Sequence, residues 1–240
     1  PDYETPDDAD TNRDYVVDVN ASDASSAWDT QTITVTVTDV NEAPVITQGA
    51  GPLSVTMSED GSPTAWSAPT LGATDVDTVD STLVWSVSSA ATNGTATVTG
   101  TAAAPSTFTY VPNADFNGSD SFVVQVFDGA LTDTITVNVT VTAVNDAPVI
   151  TQGAGPLFVT MSEDGSPTAW VAPTLGATDA DTADSALVWS VSSVASNGTA
   201  TVTGTAAAPT TFTYAPDADF NGSDSFVVQV SDGALTDTIT

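Results

Sequence analysis

The 240-residue sequence contains no cysteine, no histidine and no lysine, and its single basic residue is Arg13. Without cysteine, the chain can form neither a disulfide framework nor a reactive thiol. Without histidine, it lacks the commonest general acid–base and cannot form a Ser-His or Cys-His pair. Two carboxylates could cleave a glycosidic bond, but nothing in the sequence marks out one pair. We therefore expect that the protein is not an enzyme.

The charge is almost entirely of one sign, with 31 acidic residues and a formal net charge of −30. Neutralising phosphates requires Lys and Arg, so nucleic acid is not expected as a partner. No apolar run is long enough to span a bilayer, so direct membrane insertion is not expected either. Such a chain repels itself, and divalent cations would relieve that repulsion where acids cluster. Adaptation to a salty medium is the alternative explanation, and both can hold.

The sequence repeats itself at the size of one small β-domain. Asn41 and Asn145 begin equivalent stretches, an offset of 145 − 41 = 104 residues, and residues 41–136 differ from residues 145–240 at 12 of 96 positions. Such similar neighbours are typical of a tandem array. We predict the C-terminal part of a domain at 1–40, a whole domain at 41–144, and a domain lacking the end of its last strand at 145–240. Residues 1–40 would supply only two strands, and an isolated hairpin is marginally stable in water. We therefore expect these residues to pack against something outside the given sequence or to be poorly ordered.

Short alternating runs of β-branched residues, separated by turn signals, predict an all-β sandwich. No helical period is present. In the strand that begins at Ser121, we place Phe122, Val124 and Val126 on the core face, and we expect Trp85 to pack between the sheets. The predicted strands of the first full repeat are 44–48, 53–58, 64–68, 82–88, 94–99, 107–111, 121–127 and 132–142.

A short segment rich in oxygen-bearing side chains precedes each full repeat. It is Asp39-Val40-Asn41-Glu42-Ala43-Pro44 in the first case and Ala143-Val144-Asn145-Asp146-Ala147-Pro148 in the second. Proline cannot donate a ladder hydrogen bond, so it ends one strand system and stiffens the entry to the next. The segment is therefore interpreted as an interdomain hinge.

The first hinge resembles the linker of cadherin-type repeats, which bind calcium between successive domains. Other segments resemble the remaining calcium-binding elements of those repeats, in the right order: Asp2-Tyr3-Glu4, Asp75-Val76-Asp77, Asp128-Gly129, Asp179-Ala180-Asp181 and Asp232-Gly233. The run from Tyr110 to Gly129 is also similar to tandem cadherin-like repeats of large bacterial surface adhesins. This resemblance implies tandem Greek-key β-sandwiches of the cadherin/immunoglobulin-like type.

The resemblance also implies Ca²⁺ at both hinges, because calcium takes roughly six to eight oxygen ligands. At the first hinge the implied ligands are Asp2, Glu4, Asp39, Asn41, Glu42, Asp75, Asp77 and Asp128. At the second hinge they are Glu59, Asp115, Asn145, Asp146, Asp179, Asp181 and Asp232. Ala143 and Asn117 stand where the first hinge has Asp39 and Glu4, so we expect weaker binding at the second hinge. The alternative is that these acids are solvated turn residues.

These features together predict an extracellular, calcium-rigidified spacer in a bacterial adhesin-type surface protein that supports cell adhesion. One alternative is a module that binds polysaccharide or like repeats on other cells, which an exposed pair of tryptophans such as Trp66 and Trp170 would favour. Another alternative is an accessory domain within a large secreted enzyme.

Overall fold

The computed structural model describes residues 3–4 and 13–240, and regular structure in them is almost entirely β-strand, which confirms the predicted all-β class. The chain divides into two compact units, residues 1–142 and 143–240. Within the described part of the chain, no helix is long and apolar enough to cross a membrane.

Unit 1 begins with a hairpin of β1 (Asp14–Ser22) and β2 (Trp28–Thr36). Tyr15 pairs with Val35 and Val17 with Ile33, so one face of the hairpin is apolar. Three hydrogen bonds between side chains join the two strands on the opposite face: Asp14–Thr36, Asp18–Thr32 and Asn20–Thr30. Val17 is 54% exposed and Val35 is 53% exposed. The apolar face of this hairpin is therefore open to solvent.

The remainder of unit 1 is the first full repeat. Its strands are β3 (Val45–Ile46), β4 (Leu53–Ser58), β5 (Ala73–Thr74), β6 (Val84–Ser89), β7 (Gly94–Thr101), β8 (Thr107–Pro112), β9 (Gly118–Phe127) and β10 (Thr132–Thr142). Six of them follow the order β4-β10-β9-β6-β7-β8, and β3 pairs with β5. The strands β4 and β10 pair in parallel, whereas β10 and β9 pair antiparallel. A 3-10 turn at Asp80–Thr82 precedes β6.

A single core joins the strands of this repeat. As predicted, Phe122, Val124 and Val126 on β9 are buried, and so is Trp85 on β6. Buried side chains of β3, β5, β7 and β8 belong to the same cluster. The pairing of β6 with β7 covers two positions only. The strands β7 and β8, which pair over six positions, and the β3–β5 pair therefore contribute side chains to the core that β6, β9 and β10 also line.

Unit 2 repeats this arrangement, but its last two strands are shorter. Its strands are β11 (Val149–Ile150), β12 (Ala177–Thr178), β13 (Val188–Ser193), β14 (Gly198–Thr205), β15 (Thr211–Pro216), β16 (Val227–Ser231) and β17 (Thr236–Ile239), with a 3-10 turn at Asp184–Ala186. The order β15-β14-β13-β16-β17 matches that of unit 1, and β11 pairs with β12.

The counterpart of β4 in unit 2 is not a strand. In unit 1, β4 pairs in parallel with residues 137–142 of β10. One hydrogen bond of this ladder is present, from the Leu157 N–H to the Thr240 carbonyl at 2.7 Å. The next residue, Phe158, is 90% exposed. Residues 157–162 thus form no strand.

Two strand predictions for the first repeat were wrong. Residues 64–68 form no strand, since Pro63 and Pro69 on either side lack the N–H that a ladder needs. The strand predicted at 44–48 shrinks to Val45–Ile46, because Pro44 precedes it and Gly49 turns the chain at a φ of 78°. The short strand β5 was missed, because two paired residues leave no alternation to detect.

A carboxylate on the core side of β9 links three segments of the repeat. Asp120 is 9% exposed and accepts hydrogen bonds from the Tyr110 hydroxyl at 2.8 Å and from the N–H groups of Thr92 and Asn93 at 3.1 and 2.9 Å. Burial pushes the pKa of Asp120 upward, but these bonds outweigh it and hold the pKa below its ordinary value. Burial and the contact with Asp120 raise the pKa of Tyr110.

We expect Asp120→Asn to lower the free energy of unfolding by about 2 kcal/mol at neutral pH, because the donors lose a charged acceptor. A carboxyl whose pKa is lowered on folding contributes stability above its unfolded-state pKa, about 3.9, and loses it as pH falls through the folded-state value. Urea unfolding at a series of pH values from about 7 downward should therefore show a smaller loss of stability for the variant than for the natural chain. Asp60→Asn, at an exposed position, serves as the control, and equal losses for Asp120→Asn and the natural chain would contradict this account.

Candidate metal centre

Three carboxylates from separate parts of unit 1 converge at the entrance to the first full repeat. Ligand oxygens of Glu4, Asp39 and Asp77 all lie within 4.8 Å of one another. Glu4 precedes the hairpin, Asp39 follows β2, and Asp77 lies in the loop after β5. Like charges at such separations repel, and a cation between them would convert the repulsion into attraction.

Hydrogen bonds hold the first linker against the repeat. The side-chain amide of Asn41 donates to Asp128 Oδ2 at 2.9 Å, and the Glu42 N–H donates to Asp77 Oδ2 at 2.7 Å. Asp75 Oδ1 accepts from the N–H of Asp77 and from the N–H of the next residue, at 2.9 and 2.7 Å. An Asp side chain that bonds its own loop in this way fixes a tight turn. The orientation of Asp77 is thus set by the fold.

The charge state of the linker reflects this crowding. A hydrogen bond with Asp77, desolvation, and the negative charges of Asp77 and Asp39 raise the pKa of Glu42. In contrast, hydrogen bonds from the N–H groups of Leu131 and Ala130 and from the Asn41 amide lower the pKa of Asp128. The hydrogen bonds therefore favour the carboxylate form of Asp128, whereas the neighbouring negative charges disfavour the carboxylate form of Glu42.

An oxygen in the loop that carries Asp77 tests whether a cation suits these residues. Among the described residues, Asp75 Oδ2 is buried and has no hydrogen-bond partner. Burial of an unsatisfied carboxylate oxygen is costly, and a bound cation would satisfy it. The surrounding donors are carboxylate and amide oxygens, which suit calcium or magnesium rather than a metal that prefers nitrogen or sulfur ligands. The residues present therefore fit a calcium ion.

Unit 2 repeats the hydrogen bonds of the linker and of the Asp-x-Asp loop. The Asn145 amide donates to Asp232 Oδ2 at 2.7 Å, and the Asp146 N–H donates to Asp181 Oδ2 at 2.7 Å. Asp179 Oδ1 accepts from the Asp181 N–H at 2.9 Å, and Asp179 Oδ2 is buried without a hydrogen-bond partner in the described part of the chain. Hydrogen bonds from Asn145 and from two backbone N–H groups lower the pKa of Asp232. Five of the seven predicted ligands of the second hinge are thus brought together within one unit.

Three of the predicted ligands are not placed in either cluster. Asp2 lies outside the described residues. Glu59 follows β4, where it is 8% exposed and its N–H donates to the Thr142 carbonyl at 3.1 Å. Asp115 is exposed in the loop between β8 and β9, at a φ of 57°. The assignment of Glu59 and Asp115 to the second hinge stays a prediction.

Sequence reasoning missed a supporting acid of the first cluster. Asp80 Oδ1, in the 3-10 turn before β6, accepts a hydrogen bond from the Asp75 N–H at 3.1 Å. The Asp-rich stretch from Asp75 to Asp80 was the only available signal, because a short 3-10 turn leaves no periodic pattern. Asp80 therefore acts on the cluster through the backbone of Asp75.

The two tryptophans that would favour a polysaccharide-binding face are half-buried in the repeats. Trp66 lies 5.8 Å from Tyr110 between ring centroids, and its Nε1 donates to the Phe108 carbonyl at 3.1 Å. Trp170 makes the equivalent contacts with Tyr214 at 5.7 Å and with the Phe212 carbonyl at 3.3 Å. Both indoles therefore have packing and hydrogen-bonding roles inside their own repeats.

Residues 41–140 and residues 145–240 each match the family described as bacterial Ig domain. No curated protein matches the sequence. Solved structures similar to the chain include protocadherin gamma B2 extracellular cadherin domains 1–5, at 18% identity and a TM-score of 0.49, covering 97% of this chain and 45% of that one. Drosophila N-cadherin EC1-4 is similar at 14% identity and a TM-score of 0.49, covering 94% of this chain and 56% of that one.

An endo-fucoidan hydrolase from glycoside hydrolase family 107 is also similar, at 18% identity and a TM-score of 0.35, covering 94% of this chain and 33% of that one. The chain thus spans about half the length of the two cadherin structures and a third of the hydrolase. Likenesses at this level carry no argument about function. The two family matches and the strand order confirm the predicted tandem β-sandwiches of the cadherin/immunoglobulin-like type.

The two linkers generate a paired prediction. Asp39→Ala should weaken calcium binding in unit 1 by about tenfold or more, because it removes one carboxylate from the group around Asp77. Ala143→Asp, the reciprocal change, should strengthen binding at the second linker. Calorimetric titration of both variants and the natural chain measures this, and isotherms unmoved by either change would show that the residue-by-residue correspondence with cadherin-type linkers is wrong.

Proposed function

The chain belongs to the bacterial Ig domain family, and on that premise we propose that it is an extracellular, calcium-rigidified spacer segment of a bacterial adhesin-type surface protein that supports cell adhesion. The observation that carries the proposal is the convergence of Glu4, Asp39 and Asp77, together with the buried, unpartnered Oδ2 of Asp75, whose Oδ1 accepts a hydrogen bond from the Asp77 N–H. A spacer of this kind would hold an adhesive part of the protein away from the cell surface.

The rigidity would come from ligands that lie on separate segments. In unit 1, Glu4, Asp39 and Asp77 would bind one ion from three directions, with Asp75 also contributing. Calcium, when bound, supplies positive charge that offsets the crowded carboxylates. Because Glu4 and Asp39 flank the hairpin and Asp77 belongs to the repeat, holding them at one point restricts bending of the linker between hairpin and repeat.

The linker residues Asn41 and Asn145 have a different role. Each donates its amide to an Asp in the turn before the last strand, Asp128 or Asp232. These bonds hold the linker in place and orient the neighbouring backbone, so that less conformational freedom remains to be lost when an ion binds. The proposal contains no catalytic step: the chain has no histidine or cysteine, and we assign its clustered acids the role of metal ligands.

Chelation should loosen the linkers without unfolding the sandwiches. The candidate ligands lie in loops and linkers, whereas the core of each unit consists of strand side chains. Small-angle scattering should give a broader distribution of interatomic distances after chelation, while far-ultraviolet circular dichroism should retain its β character. An unchanged distance distribution would refute the rigid-spacer proposal.

Calcium should stabilise the chain more than magnesium does. Magnesium requires near-octahedral geometry and gives up its waters reluctantly, which a cluster of several carboxylates does not suit. A ligand that binds only the folded state stabilises it by RT ln(1 + [L]/Kd), so at equal concentration the ion that binds more tightly gives the larger rise in melting temperature. Thermal unfolding with about 1 mM of either ion tests this, with Asp77→Asn as a variant that should lose much of the calcium effect. Equal stabilisation by the two ions would count against a calcium site.

A further inference from the structure

The single basic residue of the chain lies next to the segment that carries Glu4. Arg13 Nε donates a hydrogen bond to the Tyr3 carbonyl at 2.7 Å. The guanidinium carbon of Arg13 also lies 4.2 Å from the centroid of the Tyr3 ring, a cation–π contact. Tyr3 immediately precedes Glu4, so these two contacts fix the backbone from which the Glu4 carboxylate extends.

The backbone of Arg13 contacts the other end of the hairpin. Its carbonyl accepts a hydrogen bond from the Val37 N–H at 3.1 Å, two residues before Asp39. Arg13 has a φ of 68°, a left-handed conformation that residues other than glycine seldom adopt and that surrounding contacts must stabilise. Arg13 thus links the residue before Glu4 to a residue close to Asp39.

We propose that Arg13 is a positioning residue for the cation site of unit 1: it holds the Tyr3–Glu4 segment against the end of the hairpin, so that Glu4 and Asp39 face Asp77 together. This inference rests on the proposed function, since its effect is on the affinity for calcium. Without the tether, the segment carrying Glu4 would have to be ordered at the moment of binding, which weakens the affinity.

Simple electrostatics predicts the opposite effect for Arg13. A guanidinium near a cation site repels the cation, so removing it would strengthen calcium binding on Coulombic grounds alone. The positioning role predicts weaker binding, because Glu4 loses its fixed backbone. The direction of the change in affinity therefore separates the two explanations.

The test is Arg13→Asn in the full chain. Asparagine tolerates a positive φ, but its side chain is too short to make the contacts that Arg13 makes with Tyr3. Calcium is titrated while NMR follows the amide of Thr78 in unit 1 and that of Thr182 in unit 2, each of which donates to an Asp of its cluster. We expect binding reported by Thr78 to weaken about tenfold, the effect of losing one charge-assisted hydrogen bond, and binding reported by Thr182 to stay unchanged.

Two further variants separate positioning from charge and from folding. Gln31→Glu, on the exposed strand β2, changes the net charge by the same amount and should not weaken binding at Thr78. Arg13→Lys keeps the charge and a donor but loses the planar guanidinium, so its affinity should lie between those of the natural chain and Arg13→Asn. The amide signals of Val17 and Ile33 show whether the hairpin is intact. If Arg13→Asn disturbs these signals, the calcium affinity of Arg13→Lys, compared with that of the natural chain, decides whether Arg13 positions Glu4.

Unchanged or tighter binding at Thr78 in Arg13→Asn would overturn the positioning role, and so would an Arg13→Lys variant that binds no better than Arg13→Asn. A natural chain in which neither Thr78 nor Thr182 responds to calcium would instead refute the proposed function itself, and the role of Arg13 with it.

Discussion

Repulsion between neighbouring carboxylates is the constraint on which the arrangement of this chain depends. Oxygens of Glu4, Asp39 and Asp77 lie within 4.8 Å of one another in a protein whose only base is Arg13. The β-strands bury apolar side chains and leave these acids to the loops and linkers. Stability within a repeat and charge at its entrance are thus supplied by different residues, which is why we expect ion removal to affect the linkers before the cores.

Pre-organisation of the linkers accompanies this repulsion. The Asn41–Asp128 and Asn145–Asp232 bonds each span 87 residues of sequence and recur in both units with nearly the same lengths, 2.9 and 2.7 Å. Each joins a linker to the turn before a last strand, so the linker is part of the repeat that follows it. A linker already held in this way loses little conformational entropy when a cation binds, which favours affinity without additional ligands.

The sequence predicts the core better than it predicts the site, for a physical reason. Alternation along β9 identifies Phe122, Val124 and Val126, because side chains on a strand alternate between faces. Asp120 has the same parity, so its burial could have been inferred as well. The acid clusters are built from loops, whose sequences have no periodic pattern of apolar and polar residues. The convergence of these acids was implied only by the order of the Asp-x-Asp and linker elements. Asp80 belongs to no such element and was therefore missed.

The hairpin of unit 1 shows what alternation alone leaves undecided. Val35 and Val139 are equivalent by the 104-residue offset and both lie in runs where apolar and polar residues alternate, yet Val35 is 53% exposed and Val139 is 1% exposed. The pattern identifies the apolar face, whereas burial requires the strands that cover it. Contacts at the linker join the hairpin to the following repeat. Glu4 and Asp39 lie at that junction, which makes it the place where a bound cation would have its largest mechanical effect on unit 1.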